Sequence, residues 1–310
     1  MIYSDSYATQ QNRLTGQVQE NSMRFIAPAL LTFSLAALGS QAQAQAAQTL
    51  KVNYNLSLAG LPLGKADLSS TFKGPKYEMQ GSVKLSGLVK MITGGKGAGT
   101  ASGMIAGSQL QPQDFAVTSK SSGEQRTVRM ALDDGNVVKA EIVPPLEPKE
   151  DRVPVKEADK KGVIDPLSAL IMPAVASKSL TDQANCNRTI PVFDGTARQN
   201  IVLSYAGTKN VEVPGYSGPV LVCNARWVPI SGHRPQRTAI KFMQENKDIN
   251  VWLAPVEGAR VLFPIKVAVR TMIGMGELEA ASWSVEGEAK ATAAKPTIKG
   301  RDPIKAGAGQ

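Results

Sequence analysis

The chain has 310 residues, enough for one large domain or two small ones, and 42% of them are hydrophobic but only 5% aromatic. Its 28 Gly and 19 Pro are spread along the chain, which favours many short strands joined by turns over a helix bundle. The formal net charge of +9 favours anionic partners such as lipid headgroups, lipopolysaccharide or acidic glycans. The lack of an aromatic–basic stripe argues against nucleic acid.

A cleavable export signal is predicted at residues 23–46. Met23-Arg24 is a short basic start, Phe25 to Leu38 is an apolar run, and small residues then alternate with Gln as far as Ala46. Cleavage after Ala44 or after Ala46 fits this pattern equally well. The apolar run is too short to span a bilayer comfortably, and no later stretch is longer. We therefore expect a periplasmic protein without a transmembrane segment after cleavage; the alternative is a signal anchor that is never cut.

Residues 1–22 are polar and precede this signal, so we expect translation to start at Met23 and the extension to be non-native. The four charged residues before position 47 cancel, so the exported protein keeps the whole charge of +9. No Cys follows the apolar run, which argues against a lipoprotein anchor.

An antiparallel meander is predicted after the signal. Residues 48–58 alternate apolar and polar side chains, as in a half-buried strand. Turns at 60–64 and at Gly74-Pro75 lead into strands at 65–72 and 77–85. Residues 86–97 are predicted to be short helical or irregular structure, and 99–107 a strand or loop of small residues. Three further strands are predicted, with Asp133-Asp134-Gly135-Asn136 as a hairpin turn between the last two; they span 115–121, 124–132 and 137–143.

Residues 144–162 are rich in Pro and charged residues, which predicts a crossing segment because Pro cannot donate to a strand ladder. A short helix is predicted to start at Asp165 and run to Ile171. Asp165 can cap its free N–H groups, and Pro166 suits its first position. Pro173 should limit it to about two turns.

The second half is predicted to return to strands. They span 188–193, 199–206, 219–230, 237–245, 249–254, 260–269 and 276–285. Residues 287–310 are rich in Ala, Lys, Gly and Pro and are predicted to be a disordered basic tail. The fold class expected is all-β and mainly antiparallel. Residues 47–286 are expected to form a single domain, a large curled sheet or open barrel-like fold with one short helix.

Cys186 and Cys223 are the only cysteines. In an exported protein an even pair is most simply a disulfide, and two free thiols are the second possibility. A structural zinc site would need more ligands than two thiols and one His. A redox role would need closely spaced thiols, which this chain lacks.

The strand Tyr54–Leu58, the turn Gly60-Leu61-Pro62-Leu63-Gly64, the Pro-rich crossing and Asp165-Pro166-Leu167-Ser168-Ala169 occur in this order. In these features the chain resembles the periplasmic proteins grouped as domain of unknown function 3108, over about residues 48–286. The resemblance implies a β-rich, curled-sheet protein of the cell envelope. It brings no enzyme activity, cofactor or catalytic residues.

Candidate catalytic groups are few. His233 is the only histidine, and Ser231-Gly232-His233 is predicted to be a surface loop rather than part of a triad. The glycines around Lys96 lack phosphate-loop spacing. Ser70 and Lys73 satisfy S-x-x-K but lie in a predicted strand. The carboxylates at 133–134 and 147–151 do not have calcium-loop spacing. We therefore predict no catalytic residues, no metal site and no cofactor.

Arg226, Arg234 and Arg237 flank Trp227 and are the candidate anion or ligand contact, with a solvated face as the alternative. The function expected is non-catalytic: binding of a lipid, lipoprotein or cell-wall component in support of envelope integrity. Two alternatives remain open. One is an envelope hydrolase that uses carboxylates, and the other is a structural subunit of an envelope complex.

Overall fold

A computed structural model of the protein describes residues 46–86 and 95–287. These residues form fourteen β-strands. The strands are β1 (Gln48–Leu58), β2 (Leu61–Lys73), β3 (Lys76–Leu85), β4 (Lys96–Ala106), β5 (Gln109–Ser121), β6 (Glu124–Asp133), β7 (Asn136–Val143), β8 (Met172–Pro173), β9 (Thr189–Phe193), β10 (Arg198–Val213), β11 (Tyr216–Ser231), β12 (Ile249–Val256), β13 (Val261–Thr271) and β14 (Gly274–Glu286). The predicted extension, almost all of the predicted signal, most of the predicted irregular segment at 86–97 and nearly all of the predicted tail lie outside the described residues.

All fourteen strands belong to one antiparallel sheet, with the order β7-β6-β5-β4-β3-β2-β1-β14-β13-β12-β11-β10-β9 and β8 paired to β13. The first and last strands are neighbours in the middle of this order. Thr49 lies opposite Glu286, and Leu58 lies opposite Gly276. The mainly antiparallel, curled-sheet fold class is therefore confirmed.

Alternation of side chains explains the first half of the sheet. In β1, the buried Leu50, Val52 and Tyr54 alternate with exposed Lys51 and Asn53, so one face packs inward and the other meets solvent. The turn at Asp134-Gly135 joins β6 to β7 as predicted, and both residues have positive φ, +46° and +73°. Such left-handed pairs match the twist of a two-stranded hairpin.

Strands β11 to β13 each contain a stretch that is buried on both faces, and these stretches are apolar runs; they lie at residues 220–223, 253–254 and 261–265. In β11, Val220 packs into the inner core, whereas Leu221 and Cys223 pack into a second cluster on the opposite face. Met172 of β8 covers that second cluster together with Leu180 and other residues of the segment between β8 and β9. A sheet that is covered on both sides needs apolar residues on both sides.

The one α-helix among the described residues, α1, spans Thr238–Glu245. The strand predicted at 237–245 is therefore wrong. The predicted helix from Asp165 is a single 3-10 turn, Ser168–Leu170, and three other 3-10 turns lie at Glu157–Lys160, Gln183–Asn185 and Glu257–Ala259. No helix in the part of the chain that the structure describes is long and apolar enough to cross a membrane.

The two edge strands of the sheet, β7 and β9, are linked by residues 163–164. Val163 N donates to Gly135 O in the β6–β7 turn at 2.8 Å. Ile164 N donates to Pro191 O at 2.8 Å, and Phe193 N donates to Ile164 O at 2.9 Å, both in β9. The sheet is thus curled so far that two consecutive residues form hydrogen bonds at both of its edges. We name the line along which the edges meet the seam.

Residues 163–171, which we name the inner segment, continue from the seam into the curled sheet. Val163 and Ile171 are fully buried in the inner core, and Leu167 packs against it. A Cβ added at Gly99 in β4 would lie 3.2 Å from Leu167 Cδ1, so the leucine lies directly over the small residues of that strand. The inner segment therefore fills space that the sheet alone would leave open.

Candidate functional site

The predicted disulfide between Cys186 and Cys223 is confirmed, with the two Cα atoms 5.5 Å apart. It ties the segment before β9 to the middle of β11, inside the second apolar cluster. Asn185 holds the same segment, because its Oδ1 accepts from Val175 N and its Nδ2 donates to the carbonyls of Ser179 and Leu180. The role of this region is structural.

The arginines predicted to contact an anion make different contacts, although Arg234 and Arg237 lie close together. Arg234 Nε donates to both oxygens of Asp151, at 2.7 and 2.9 Å, and this bond lowers the pKa of Asp151, with a smaller contribution from Arg237. Arg226 donates to Gln244 O at 3.1 Å. Trp227 packs on the second apolar cluster. Arg237 is exposed at the start of α1.

The loop around His233 is less exposed than predicted. Ser231 and Gly232 are buried, because Gly232 N donates to Val153 O and Val153 N donates to His233 O. The loop is thus paired with the Pro-rich crossing segment. Ser70, from the S-x-x-K match, is buried inside β2, whereas Lys73 at the end of that strand is exposed.

A polar cluster lies inside the sheet where the inner segment meets β3. Asp165 Oδ1 accepts from Leu167 N and Ser168 N, both at 2.9 Å, which is the capping contact predicted from the sequence. Ser168 Oγ lies 2.7 Å from the hydroxyl of Tyr77. Burial raises the pKa of Asp165 and that of Tyr77. The cluster is fully buried, so it can hold the inner segment in place but cannot meet a substrate from solvent.

A groove of about 560 Å³ runs along the seam, and we name it the seam groove. Its walls come from the β4–β5 turn, the β6–β7 turn, the inner segment and the stretch leading into β9. Its apolar lining is contributed by Val163, Ile164, Ile171, Met172, Val175 and Ile190. A volume of this size is typical of small-molecule sites in proteins.

Arg188 is the principal charged group of the seam groove. Its guanidinium is half-buried and donates one hydrogen bond, from Nη1 to Pro173 O at 3.0 Å. No carboxylate of the described residues forms an ion pair with it. Burial lowers the pKa of Arg188, since a charge that leaves water without a partner is disfavoured. Asp134 is the one carboxylate of the lining, and Gln111 Nε2 donates to it at 3.3 Å.

A second, wider trough of about 620 Å³ lies on the outer face of β1 to β6. Its charged groups are already paired: Lys51 with Glu286 at 2.8 Å, and Arg129 with Glu141 at 3.5 Å. Asp67 accepts from Asn53 Nδ2 at 2.6 Å. Hydroxyl side chains such as Thr100 and Thr118 make up much of the remainder, as on an ordinary solvated sheet face.

The sequence did not single out Arg188 or the seam groove. One signal was present: Arg188 directly follows Cys186 and Asn187, so the disulfide restricts its position. Its position beside Pro173, however, depends on a contact between residues 15 apart in the chain, which local spacing does not define.

A family model described as a protein of unknown function, DUF3108, matches residues 52–280 of the chain. No curated protein matches. Among solved structures, the chain is similar to the crystal structure of a beta-barrel-like protein of domain of unknown function DUF1849 from Brucella abortus. The identity is 11% and the TM-score 0.45, over 76% of this chain and 97% of that one.

Proposed function

The chain belongs to the DUF3108 family of proteins of unknown function, and from the geometry of its own surface we propose a non-catalytic binding protein of the bacterial periplasm. It holds an anionic amphiphile, a lipid component with an acidic headgroup, in the seam groove. The observation that carries the proposal is the half-buried guanidinium of Arg188, which has no carboxylate partner among the described residues, beside an apolar wall.

The physical reason is the cost of an unpaired buried charge. A guanidinium that has left water gains little from a single backbone carbonyl, whereas a carboxylate or phosphate can accept two parallel hydrogen bonds from it. An anionic headgroup would therefore provide the paired acceptors that no carboxylate of the described residues provides to Arg188. The chain of the same molecule would cover the partly exposed side chains of Ile164, Val175 and Ile190.

The interior of the sheet is a weaker candidate for the ligand site. Bulky buried side chains occupy it, among them Tyr54, Tyr77, Phe263 and Met79, together with the inner segment. An apolar ligand enclosed by the sheet would have to displace that segment. The seam groove, in contrast, is open to solvent without any rearrangement.

The distribution of carboxylates supports a non-catalytic role. A glycoside hydrolase needs two carboxyl groups facing each other in a cleft, within about 10 Å. Among the described residues, Asp165 is the only fully buried acid, and its Oδ1 caps a turn inside the protein. The described residues also contain no group of three or more His, Cys, Asp or Glu that could hold a metal ion.

The proposal is tested by titrating the purified full chain with cis-parinaric acid, a fluorescent fatty acid. We expect saturable binding, and Arg188→Met should weaken it about 10- to 100-fold, because hydrogen bonds to a charged group contribute about 1.5–3 kcal/mol. Arg188→Lys should lie between the two. Thr189→Trp, which adds bulk at the exposed rim of the groove, should also reduce binding.

Arg237→Met is the matched control, because Arg237 is an exposed arginine outside the groove. It should bind like the parent chain, and circular dichroism should show that all variants are folded. A loss of binding in Arg237→Met together with normal binding in Arg188→Met would move the ligand site to the arginines near α1. Lack of binding by the folded parent chain would reject the proposal.

A further inference from the structure

Four lysines form a continuous row across four adjacent strands. Lys65 in β2 lies opposite Lys84 in β3, Lys84 lies opposite Lys96 in β4, and Lys96 lies opposite Lys120 in β5. All four are exposed. Since neighbouring strands are about 4.8 Å apart, the row is about 14 Å long. We name it the lysine row.

The row lies on the outer face of the sheet. Along β2, Ala66 and Leu68 pack against the inner core, so Lys65, one position before Ala66, points the other way. Directly opposed like charges destabilise a sheet. No ion pair within the described residues neutralises any of the four lysines. Repulsion within the lysine row therefore lowers the stability of the fold, and no ion pair offsets it.

Exposed apolar side chains lie at the same end of the sheet. Leu61, at the start of β2, is 70% exposed, and Met272 and Ile273, in the β13–β14 turn, are 56% and 73% exposed. The two turns touch, because Ala59 N donates to Met275 O at 2.8 Å. We name Leu61, Met272 and Ile273 the apolar tips. Large apolar residues exposed together on adjacent turns are typical of an interaction surface.

The carboxylates near the lysine row do not pair with it. Asp67, two residues beyond Lys65, accepts from Asn53 Nδ2 and lies 3.5 Å from Ser82 Oγ. Glu124 starts β6 beyond the far end of the row. Asp248, near the β13–β14 turn, accepts from Arg270 Nε at 3.2 Å. The end of the sheet therefore combines unpaired positive charge with exposed apolar side chains.

From this combination we propose that this end of the sheet docks on an anionic lipid bilayer. The apolar tips enter the headgroup region, and the lysine row contacts acidic headgroups beside them. Peripheral proteins bind membranes through this pairing of buried apolar area with electrostatic attraction. The surface is separate from the seam groove, and its docking does not depend on the ligand proposed there.

The test is co-sedimentation of the full chain with vesicles. Vesicles of phosphatidylethanolamine with phosphatidylglycerol should bind it, and vesicles of phosphatidylcholine should bind it weakly. Each lysine near an anionic surface contributes about fivefold to partitioning, so Lys84→Gln/Lys96→Gln should lose about 30-fold. Ile273→Ser should lose about tenfold, a loss that remains in 0.5 M salt, where charge effects are screened.

A charge-matched control is Lys139→Gln/Lys241→Gln, because both lysines are exposed on other parts of the surface, in β7 and α1. It should bind like the parent chain. Equal loss in the two double variants would show attraction by net charge alone and overturn the proposal. Equal binding to neutral vesicles, or binding to a soluble acidic polysaccharide but not to vesicles, would also overturn it.

Discussion

Asp165 is a buried acid whose charge the fold accommodates only in part. Its Oδ1 accepts two backbone N–H groups, but its Oδ2 has no hydrogen-bond partner among the described residues. Burial raises the pKa of this carboxyl above its unfolded value of about 4. A raised pKa means that Asp165 contributes stability below about pH 4, and that this contribution is lost as the pH rises through its folded pKa.

We therefore expect Asp165→Asn to flatten the dependence of stability on pH. Asn keeps an oxygen that can accept from Leu167 N and Ser168 N but carries no charge. Urea unfolding measures the free energy of unfolding of both chains. The value for the parent chain minus the value for this variant should fall as the pH rises from about 4 to 8. Constant relative stability across this range would contradict the assignment.

Asp159→Asn is the control with the opposite sign. Asp159 is exposed at its carboxylate, and a hydrogen bond from Lys156 N lowers its pKa. Its contribution to stability is therefore present above about pH 4 and is lost as the pH falls. The two variants should shift the pH profile in opposite directions.

The disulfide gives a second residue-scale prediction. Cys186 and Cys223 are 37 residues apart, and closing a loop of this size stabilises the folded state by about 4 kcal/mol in the chain-entropy model. Urea unfolding of Cys186→Ala/Cys223→Ala should show a loss of about 2–5 kcal/mol. Dithiothreitol should destabilise the parent chain but not the variant; equal sensitivity of both would contradict the prediction.

The sequence was sufficient for the cysteine pair but not for the two surfaces that we propose to bind lipid. Only two thiols are present, so their pairing needed no structural information. Lys65 and Lys84 can be paired by counting back from the turn at Gly74-Pro75. The pairing of Lys84 with Lys96 crosses residues 86–95, whose length does not define a register.

At the scale of elements, the strands were largely predictable and α1 was not. Ile240, Phe242 and Met243 lie in a stretch for which the apolar pattern predicts a strand, although Ile240 and Met243 have the i, i+3 spacing of one helix face. In the structure, Met243 packs against the second apolar cluster. Short apolar stretches fit both the 3.6-residue period of a helix and the two-residue period of a strand. The tertiary contact decides between them.

The turn after Asp165 shows the limit of capping signals. Asp165 and Pro166 mark the start correctly, but the helical backbone ends after Leu170. Leu167 and Ser168 are engaged with β4 and β3, respectively, inside the sheet. A longer helix would have to leave those contacts. A cap signal therefore predicts where a turn starts but not how far it extends.

At the scale of the whole molecule, the curl of the sheet brings its two halves into contact. Gly195, in the turn between β9 and β10, is buried against Val128 of β6. A Cβ at this position would collide with Val128 Cγ1. The sequence predicted a curled sheet but could not place β9 beside the first half, since their contact joins residues far apart in the chain.

Gly195→Ala should therefore destabilise the protein, as measured by thermal or urea unfolding. The overlap with Val128 should cost about 1–3 kcal/mol in addition to the strain of placing Ala at a positive φ. Gly123→Ala is the matched control, because φ is +85° at Gly123 and +89° at Gly195, but a Cβ at Gly123 would meet no atom within 4 Å. Equal losses in the two variants would mean that the sheet edges do not press together at this turn.

The pairing of β1 with β14 also determines when the protein can fold. Lys51 in β1 contacts Glu286 in β14, 235 residues later, so β1 cannot complete its pairing before β14 has been synthesised. Until β14 has been synthesised, β1 has one unpaired edge, and the two halves of the sheet have no common strand pair to join them. The complete sheet therefore cannot form before β14 is available, and a chain that lacked β14 would expose an aggregation-prone strand edge.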